Sequence, residues 1–166
     1  MLNKLKHYTK EVIFFILAMT LFANLISLYK SQDLNAKPLT LQSVQLLNQK
    51  NYTIENNKPI LVHIWATWCP TCKLEAGNIE RISKHYQVLS IAVKSGSDKE
   101  ISEYMKEHNL HFKVMNDTDG QLSSKFKIAA FPTTFIYDTN KNLLFSEVGY
   151  TSTFGLWLRM WWASLK

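Results

Sequence analysis

The chain has little cysteine, since only Cys69 and Cys72 occur among its 166 residues. Two cysteines are too few for the disulfide frameworks that hold small secreted domains together. Such a framework is not needed either, because 46% of the residues are hydrophobic and can build an ordinary core. The length fits one domain with an appendage.

The chain also lacks a dense run of lysine and arginine, although its formal net charge is +6. Within residues 1–30, four lysines outnumber one glutamate, which accounts for +3 of that excess. The remaining charge is scattered along residues 31–166. A nucleic-acid-binding protein usually carries a basic stripe or cluster. The pattern therefore predicts no nucleic-acid partner.

The residues that bind metals are too few for a zinc centre. A structural zinc site uses four ligands, usually supplied as two pairs. This chain has one C-x-x-C pair, and none of its five histidines follows the paired spacing of zinc ligands. The sequence therefore predicts no metal site and no cofactor.

One apolar run stands out near the N-terminus, from Val12 to Leu28, and three lysines precede it. As a helix, this run would be roughly 25 Å long, close to the thickness of a bilayer core, about 30 Å. Signal peptides have a shorter apolar stretch and a small-residue cleavage site, which this segment lacks. We expect an uncleaved membrane anchor, and a cleaved signal is the alternative. The positive-inside rule then places Met1 in the cytoplasm and the residues after Lys30 outside.

After this segment the sequence divides into an Asn-rich stretch, 31–58, and a regular pattern, 59–166. We interpret the first as a linker and a short lead-in of unassigned type. The second alternates apolar strand-like runs with helical spacing and ends in a hairpin and a terminal helix. This order predicts an α/β domain with a mainly parallel sheet, helices on both faces and antiparallel strands at one edge. Capping boxes are predicted at Ser97–Glu100 and Thr118–Gln121.

The two cysteines occupy a position suited to redox chemistry. Cys69 follows the apolar run "ILVHIWA", and Pro70 is well tolerated as the first residue of a helix. The N-terminus of that helix would stabilise a thiolate on Cys69, and the thiolate is the nucleophile in disulfide exchange. Cys72, one turn further, would then resolve the mixed disulfide. We expect an exposed Cys69 and a buried Cys72. A purely structural disulfide is disfavoured, because closing so short a loop removes little unfolded-state entropy.

Two further residues are candidates for moving the proton. Glu75 shares a helical stripe with Ile82 and Tyr86, and a buried carboxyl with a raised pKa makes a useful proton acceptor. The alternative is an exposed glutamate in the first turn of the helix. His63 lies in a buried strand on the side of Leu61 and Trp65. We expect a hydrogen-bonded core histidine there, with proton exchange at Cys72 as the alternative.

The motifs "WATWCPTCKLE", "FPTTFIYD" and "VGY" resemble the thioredoxin superfamily, in its membrane-tethered branch of TlpA, ResA and DsbE/CcmG. The run "AVKSG" and the Trp-rich tail are most similar to suppressor-of-copper-sensitivity D (ScsD) proteins. The resemblance implies a thioredoxin-like fold with a TlpA-type α/β insertion between Ser97 and Val114. It also implies a cis-proline at Pro132 beside the redox pair.

The resemblance further implies a role for each matching residue. Cys69 would be the attacking thiol, Cys72 the resolving thiol and Glu75 the acidic residue of the branch. Substrate contacts would come from Trp68, Pro70, Thr71 and Phe131. His63 departs from the pattern, because thioredoxins carry a buried aspartate at that position, so the proton route here can differ.

The expected function is a thiol–disulfide oxidoreductase that reduces disulfides in partner proteins. A membrane thiol donor would regenerate it, and the N-terminal helix would tether it to the bacterial inner membrane with its catalytic domain in the periplasm. The alternatives are an oxidase that donates its disulfide, and a copper-resistance module that binds Cu(I) with both thiols. A third is an adhesion domain using Trp157, Trp161 and Trp162. These three cannot all face inward, so at least one is expected to be exposed.

Overall fold

The computed structural model describes residues 8, 10–15, 18–19, 21–22, 25, 34, 37–128 and 130–166. From residue 43 onward the elements follow one another in the order β1 (Ser43–Gln45), β2 (Asn51–Thr53), β3 (Ile60–Trp65), α1 (Pro70–Ser83), β4 (Gln87–Val93), α2 (Asp98–Glu107), β5 (Lys113–Asp117), α3 (Gln121–Lys125), β6 (Thr133–Tyr137), β7 (Leu143–Val148) and α4 (Thr153–Ala163).

A mixed sheet of order β5-β4-β3-β6-β7 forms the centre of the domain. Strands β3, β4 and β5 run parallel, whereas β6 is antiparallel to β3 and β7 is antiparallel to β6. This topology confirms the predicted α/β order with a hairpin at one edge. Every residue of β3 is buried, because this strand has neighbours on both sides and packing on both faces. The segment that follows β3 therefore starts from the middle of the sheet.

Side chains of β3 alternate between two hydrophobic clusters, as the period of a strand requires. Leu61 and Trp65 belong to the cluster that α1, α2 and α4 cover. Val62 and Ile64 belong to the opposite cluster, which Phe126 at the end of α3 helps to close. Helices thus lie on both faces of the sheet, as predicted.

The lead-in, whose structure the sequence left open, forms the antiparallel hairpin β1–β2. Val44 and Ile54 are buried in the second cluster. The N–H of Leu47 donates to the carbonyl of Val114 on edge strand β5, at 3.1 Å. The hairpin therefore packs against the domain and covers part of an edge that would otherwise offer free backbone groups.

The capping box predicted at the start of α2 is present. The hydroxyl of Ser97 accepts from the N–H of Glu100, and the Glu100 carboxylate accepts from the N–H of Ser97 at 2.7 Å. Helix α1, in contrast, ends at Ser83, so Tyr86 lies beyond the stripe on which its spacing placed it.

The second predicted capping box, at residues 118–121, is wrong. Helix α3 begins after Gly120, whose φ of 78° lies in the left-handed region that glycine adopts easily. The cap comes from Asp117 at the end of β5, whose carboxylate accepts from the N–H groups of Leu122 at 3.0 Å and Ser123 at 2.8 Å. This buried carboxylate already satisfies the free donors of the first turn, so a local box is not required.

Tryptophans of the terminal helix α4 lie on its outer side. Trp157, Trp161 and Trp162 are between 43% and 47% exposed, which confirms that they do not all face inward. The buried stripe consists instead of Leu156, Met160 and Ala163. These aliphatic side chains pack against the sheet, and the larger indole rings stay on the outer side of the helix.

In the parts of the chain that the structure describes, no helix is both long and apolar enough to cross a bilayer. The predicted span from Val12 to Leu28 includes residues outside the described set. The anchor and its orientation therefore stay predictions from the sequence.

Replacing Asp117 by Ala should lower the free energy of unfolding by about 1–2 kcal/mol, because two N–H groups of α3 lose their acceptor. Urea unfolding followed by circular dichroism measures this difference. Asp119→Ala is the matched control, since Asp119 is exposed and its carboxylate accepts a side-chain N–H of Gln121 instead of a backbone N–H of α3. Equal midpoints for the two variants would contradict the assignment of Asp117 as the cap.

Candidate active site

The loop between β3 and α1 is anchored to the loop after β4. The N–H of Thr67 donates to the hydroxyl of Ser95 at 3.1 Å, and the indole N–H of Trp68 donates to the carbonyl of Lys94 at 3.1 Å. These two bonds fix the backbone immediately before Cys69. The first thiol is therefore placed by two neighbouring strands and not by its own loop alone.

Cys69 is the N-cap residue of α1. Its backbone is extended, with φ −89° and ψ 115°, and its sulfur accepts a hydrogen bond from the N–H of Cys72 at 3.2 Å. Pro70 follows as the first helical residue, where the absence of an N–H is harmless. The cap position points the positive end of the helix at the sulfur, which stabilises negative charge on it. Both cysteines are free thiols.

The expectation that Cys69 is exposed is wrong, because the residue is only 6% exposed. Its sulfur turns inward to meet the N–H of Cys72, and both cysteines belong to the hydrophobic cluster beneath α1. Phe131 packs against this cluster from the loop before β6. A partner disulfide must therefore approach Cys69 past an apolar rim.

Cys72 is buried, as expected. Burial raises the pKa of its thiol well above the ordinary value, and a hydrogen bond with Cys69 and the charge of Glu75 add to this shift. A backbone hydrogen bond at Ala66 opposes it. Cys72 is therefore protonated at neutral pH and needs a base before it can attack a disulfide.

Glu75 is fully buried in α1, so the alternative of an exposed glutamate is excluded. The pKa of its carboxyl is raised to about 8, chiefly by burial. The hydrogen bond from the N–H of Thr151 lowers this pKa, and the charge of Glu147 raises it. Oε1 accepts that N–H at 3.0 Å. Among the described residues Oε2 has no hydrogen-bond partner. The spacing from Cys72 places the two side chains on one helical face.

His63 is buried in β3 on the side of Leu61 and Trp65. Burial lowers the pKa of its imidazole to about 3, so the ring is neutral across the physiological range. Its Nδ1 lies 3.0 Å from the hydroxyl of Thr134 on β6. This arrangement is that of a hydrogen-bonded core histidine, and the proton relay at Cys72 stays a prediction.

Pro132 immediately precedes β6, and the Phe131–Pro132 peptide bond is cis. The ring of Phe131 meets that of Trp68 edge-on, with 5.6 Å between centroids. Trp68 is 61% exposed, Pro70 is exposed, and Thr71 and Phe131 are half-buried. The predicted substrate-contacting side chains therefore line the rim of the cysteine site, and their contact with substrate stays a prediction.

The sequence did not reveal two other contributors to this site. Thr151 acts through its backbone N–H, which no side-chain motif can signal. Tyr104 on α2 has a hydroxyl that is buried without a hydrogen-bond partner in the described part of the chain. Burial raises the pKa of that hydroxyl, and charge on Cys72 and Cys69 raises it further. Its position near both thiols follows from the packing of α2.

Metal-binding side chains do not gather elsewhere in the described structure. It contains no group of three or more His, Cys, Asp and Glu residues arranged to hold an ion. Cys69 and Cys72 are the residues with the chemistry of a soft-metal site, and two thiols are fewer than the four ligands of a structural zinc centre.

Comparison with known proteins agrees with this dithiol geometry. The family model described as Redoxin matches residues 32–154. The chain belongs to the Redoxin family. A "Thioredoxin-like protein" of Haemophilus influenzae is 32% identical over 126 residues, which cover 75% of each chain. "Thiol:disulfide interchange protein DsbE" of Pasteurella multocida is 30% identical over 149 residues, which cover 82% of each chain. The family and the paired cysteines make this Redoxin protein a thiol–disulfide oxidoreductase.

Solved structures support the fold. A thiol:disulfide interchange protein of the thioredoxin family from Chlorobium tepidum superposes with a TM-score of 0.68 at 23% identity. The match covers 78% of this chain and 97% of that one. The predicted thioredoxin-like α/β fold is confirmed. The sequence relatives above confirm the resemblance to the thioredoxin superfamily.

Replacing Glu75 by Gln should change how stability depends on pH. The pKa of this carboxyl is raised from 4.5 to about 8 on folding, so the stability that protonated Glu75 contributes is fully present below pH 4.5. It is lost as pH rises toward 8, by at most about 5 kcal/mol, since each pKa unit is worth about 1.4 kcal/mol. The variant should therefore gain stability relative to the native protein across this window.

Denaturant unfolding at pH values between 4 and 9 measures the difference. Glu103→Gln serves as the control, because Glu103 is an exposed residue of α2 whose carboxylate pairs with Lys99. Stability profiles of Glu75→Gln and the native protein that stay parallel from pH 4 to 9 would show that Glu75 does not hold its proton.

Proposed function

We propose that this protein is a membrane-tethered reductase that opens disulfide bonds in partner proteins on the extracytoplasmic side. The observation that carries the proposal is the pairing of a capped Cys69 sulfur at the N-terminus of α1 with a buried, protonated Cys72 behind it. One thiol is held ready for attack, and the other is held back until a base removes its proton. This asymmetry is what a two-step exchange requires.

In the first step the Cys69 thiolate attacks one sulfur of the partner disulfide. A bond forms between Cys69 and that sulfur, the partner's own S–S bond breaks, and the other partner sulfur leaves as a thiolate that takes a proton from water. The N–H of Cys72 and the helix dipole stabilise the attacking charge before the bond forms.

In the second step the Glu75 carboxylate accepts the proton of Cys72. The resulting thiolate attacks the sulfur of Cys69, an internal disulfide forms, and the second partner sulfur leaves as a thiolate. The partner gains two electrons and, after protonation, two hydrogens, while Cys69 and Cys72 are oxidised. A pKa of about 8 suits this role, because the carboxyl can both take and return a proton near neutral pH.

The apolar rim formed by Trp68 and Phe131 supports a protein partner. Trp68 is largely exposed although its indole N–H is already bound to the Lys94 carbonyl. The ring can therefore offer its faces to a partner without leaving a donor unpaired. Pro70 and Thr71 on the first turn of α1 complete the contact surface in this proposal, beside Pro132.

The proposed placement combines three parts. Residues 1–30 would form a cytoplasmic stub and an inner-membrane anchor, 31–58 a linker and lead-in, and 59–166 the thioredoxin-like domain in the periplasm. A membrane thiol protein would return electrons to the oxidised pair. The further likeness to ScsD proteins stays a prediction. The apolar run from Val12 to Leu28 and the lysines before it support this placement.

Replacing Cys72 by Ala should trap partner proteins on Cys69, because the mixed disulfide then has no resolving thiol. Non-reducing electrophoresis of the cell envelope, followed by mass spectrometry, identifies what stays attached to the full chain. Cys69→Ala is the matched control and should capture nothing. Adducts of equal amount on both variants would contradict the assignment of Cys69 as the attacking thiol.

The direction of exchange is tested by equilibrating the native protein with glutathione. We expect a reduction potential well below about −200 mV, which favours reduction of partners. A potential near about −120 mV would identify a disulfide-donating oxidase instead. In that case the two cysteines keep their roles, and the electrons flow the other way.

A further inference from the structure

Asn78 occupies the same face of α1 as Glu75, three residues further along, and is only 7% exposed. Its side-chain N–H donates to the carbonyl of Thr151 at 2.9 Å. Glu75 accepts the N–H of the same Thr151 at 3.0 Å. Two side chains of α1 therefore bind the same residue in the loop between β7 and α4. Glu75 accepts its backbone N–H, and Asn78 donates to its carbonyl.

The orientation of the Asn78 amide is fixed by its other contacts. Its Oδ1 accepts the hydroxyl of Thr153 at 2.7 Å and a guanidinium N–H of Arg81 at 3.3 Å. Because the guanidinium of Arg81 can only donate and the carbonyl of Thr151 can only accept, the oxygen must face Arg81 and the NH₂ must face Thr151. The hydroxyl of Thr153 then donates to the same oxygen. A buried amide held by three hydrogen bonds in this way is rigid.

We call the contacts of Asn78 and Glu75 with Thr151 the clamp. It leaves the two oxygens of Glu75 in different environments. Oε1 is engaged by Thr151, while Oε2 is buried without a hydrogen-bond partner among the residues the structure describes. An unpaired buried carboxylate oxygen is unfavourable, and a proton on it removes much of that penalty. The free oxygen belongs to the carboxyl whose charge acts on Cys72.

We propose that Asn78 is a positioning residue: it holds the Thr151 peptide against Glu75, so that Oε1 stays engaged and Oε2 alone exchanges a proton with Cys72. This inference rests on the proposed function, in which Glu75 is the base for Cys72. Asn78 itself touches neither the sulfurs nor a partner in this scheme. It acts by deciding which oxygen of Glu75 is available.

Other titratable or charged groups near Glu75 limit how the clamp can be tested. On its own helix these are Cys72 and Arg81, which contacts Asn78. From β7 the charge of Glu147 acts on Glu75, and Arg159 of α4 pairs with Glu147 at 2.8 Å. A useful variant must leave these charges in place, which excludes Asn78→Asp.

The decisive measurement is the titration of the Glu75 carboxyl in the full chain. Infrared spectroscopy detects the C=O stretch of a buried protonated carboxyl, and Glu75→Gln identifies the band by removing it. In Asn78→Ala the pKa read from this band should rise by about one unit, because a hydrogen bond that favours the charged form is lost. A band that titrates as in the native protein would overturn the proposal, and so would a downward shift, which would mean that Asn78 only keeps water out.

Variants at Thr153 test the same clamp without touching the amide. Thr153→Val removes the hydroxyl that orients Asn78 and should shift the titration in the same direction by a smaller amount. Thr153→Ser keeps the hydroxyl, so the pKa of Glu75 in this variant should equal that of the native protein. If Asn78→Ala does not fold, this pair alone decides, and identical titrations of Val and Ser variants would overturn the proposal.

Asn116→Ala is the matched control for a general loss of rigidity. Asn116 is a half-buried residue whose amide likewise ties a loop, through the Gly96 carbonyl and Asp98 and not through Thr151. It should leave the Glu75 band unchanged, and an equal shift would overturn the proposal. If the pKa of Glu75 shifts as expected but the protein has no exchange activity, the proposed function is wrong and the clamp is still supported.

Discussion

A carboxyl group without access to water lies at the centre of this site. Glu75 is buried between α1 and the loop that joins β7 to α4, and one backbone N–H is its hydrogen-bond donor. A charge in that position is unfavourable, so the group keeps its proton well into the physiological range. In the proposed mechanism the behaviour of Cys72 depends on this, because Glu75 is the neighbouring base that takes its proton.

The two cysteines differ in how they carry charge because they occupy different positions in α1. Cys69 caps α1, and its sulfur accepts a hydrogen bond from the N–H of Cys72. Cys72 lies inside the first turn and is surrounded by apolar side chains. The N-terminus of the helix thus stabilises charge on Cys69, whereas burial opposes charge on Cys72. The low exposure of Cys69 adds a restriction on the partner, which must displace or meet the rim of Trp68 and Phe131.

Two other buried polar side chains beneath the site are uncharged and hydrogen-bonded. His63 is neutral and hydrogen-bonded to Thr134, and the indole N–H of Trp65 donates to the Ser90 hydroxyl at 3.1 Å. Polar groups beneath the helix are therefore satisfied across the strands. Glu75 Oε2 and the Tyr104 hydroxyl, within the described part of the chain, are exceptions close to the cysteines. These two atoms lie where the proposed mechanism moves a proton.

Local patterns in the sequence determined most of the architecture. Apolar runs and helical spacing predicted the strand and helix order, Ser97 and Glu100 predicted their cap, and the C-P-T-C spacing predicted a dithiol at the start of a helix. These features depend on neighbours a few residues apart, and so short segments carry them. Tertiary structure alone decided that Cys69 is mostly buried, that Asp117 caps α3, and that Thr151 bonds both Glu75 and Asn78. Each of these depends on contacts between segments distant in the chain or on a backbone group, and neither leaves a periodic signal in the sequence.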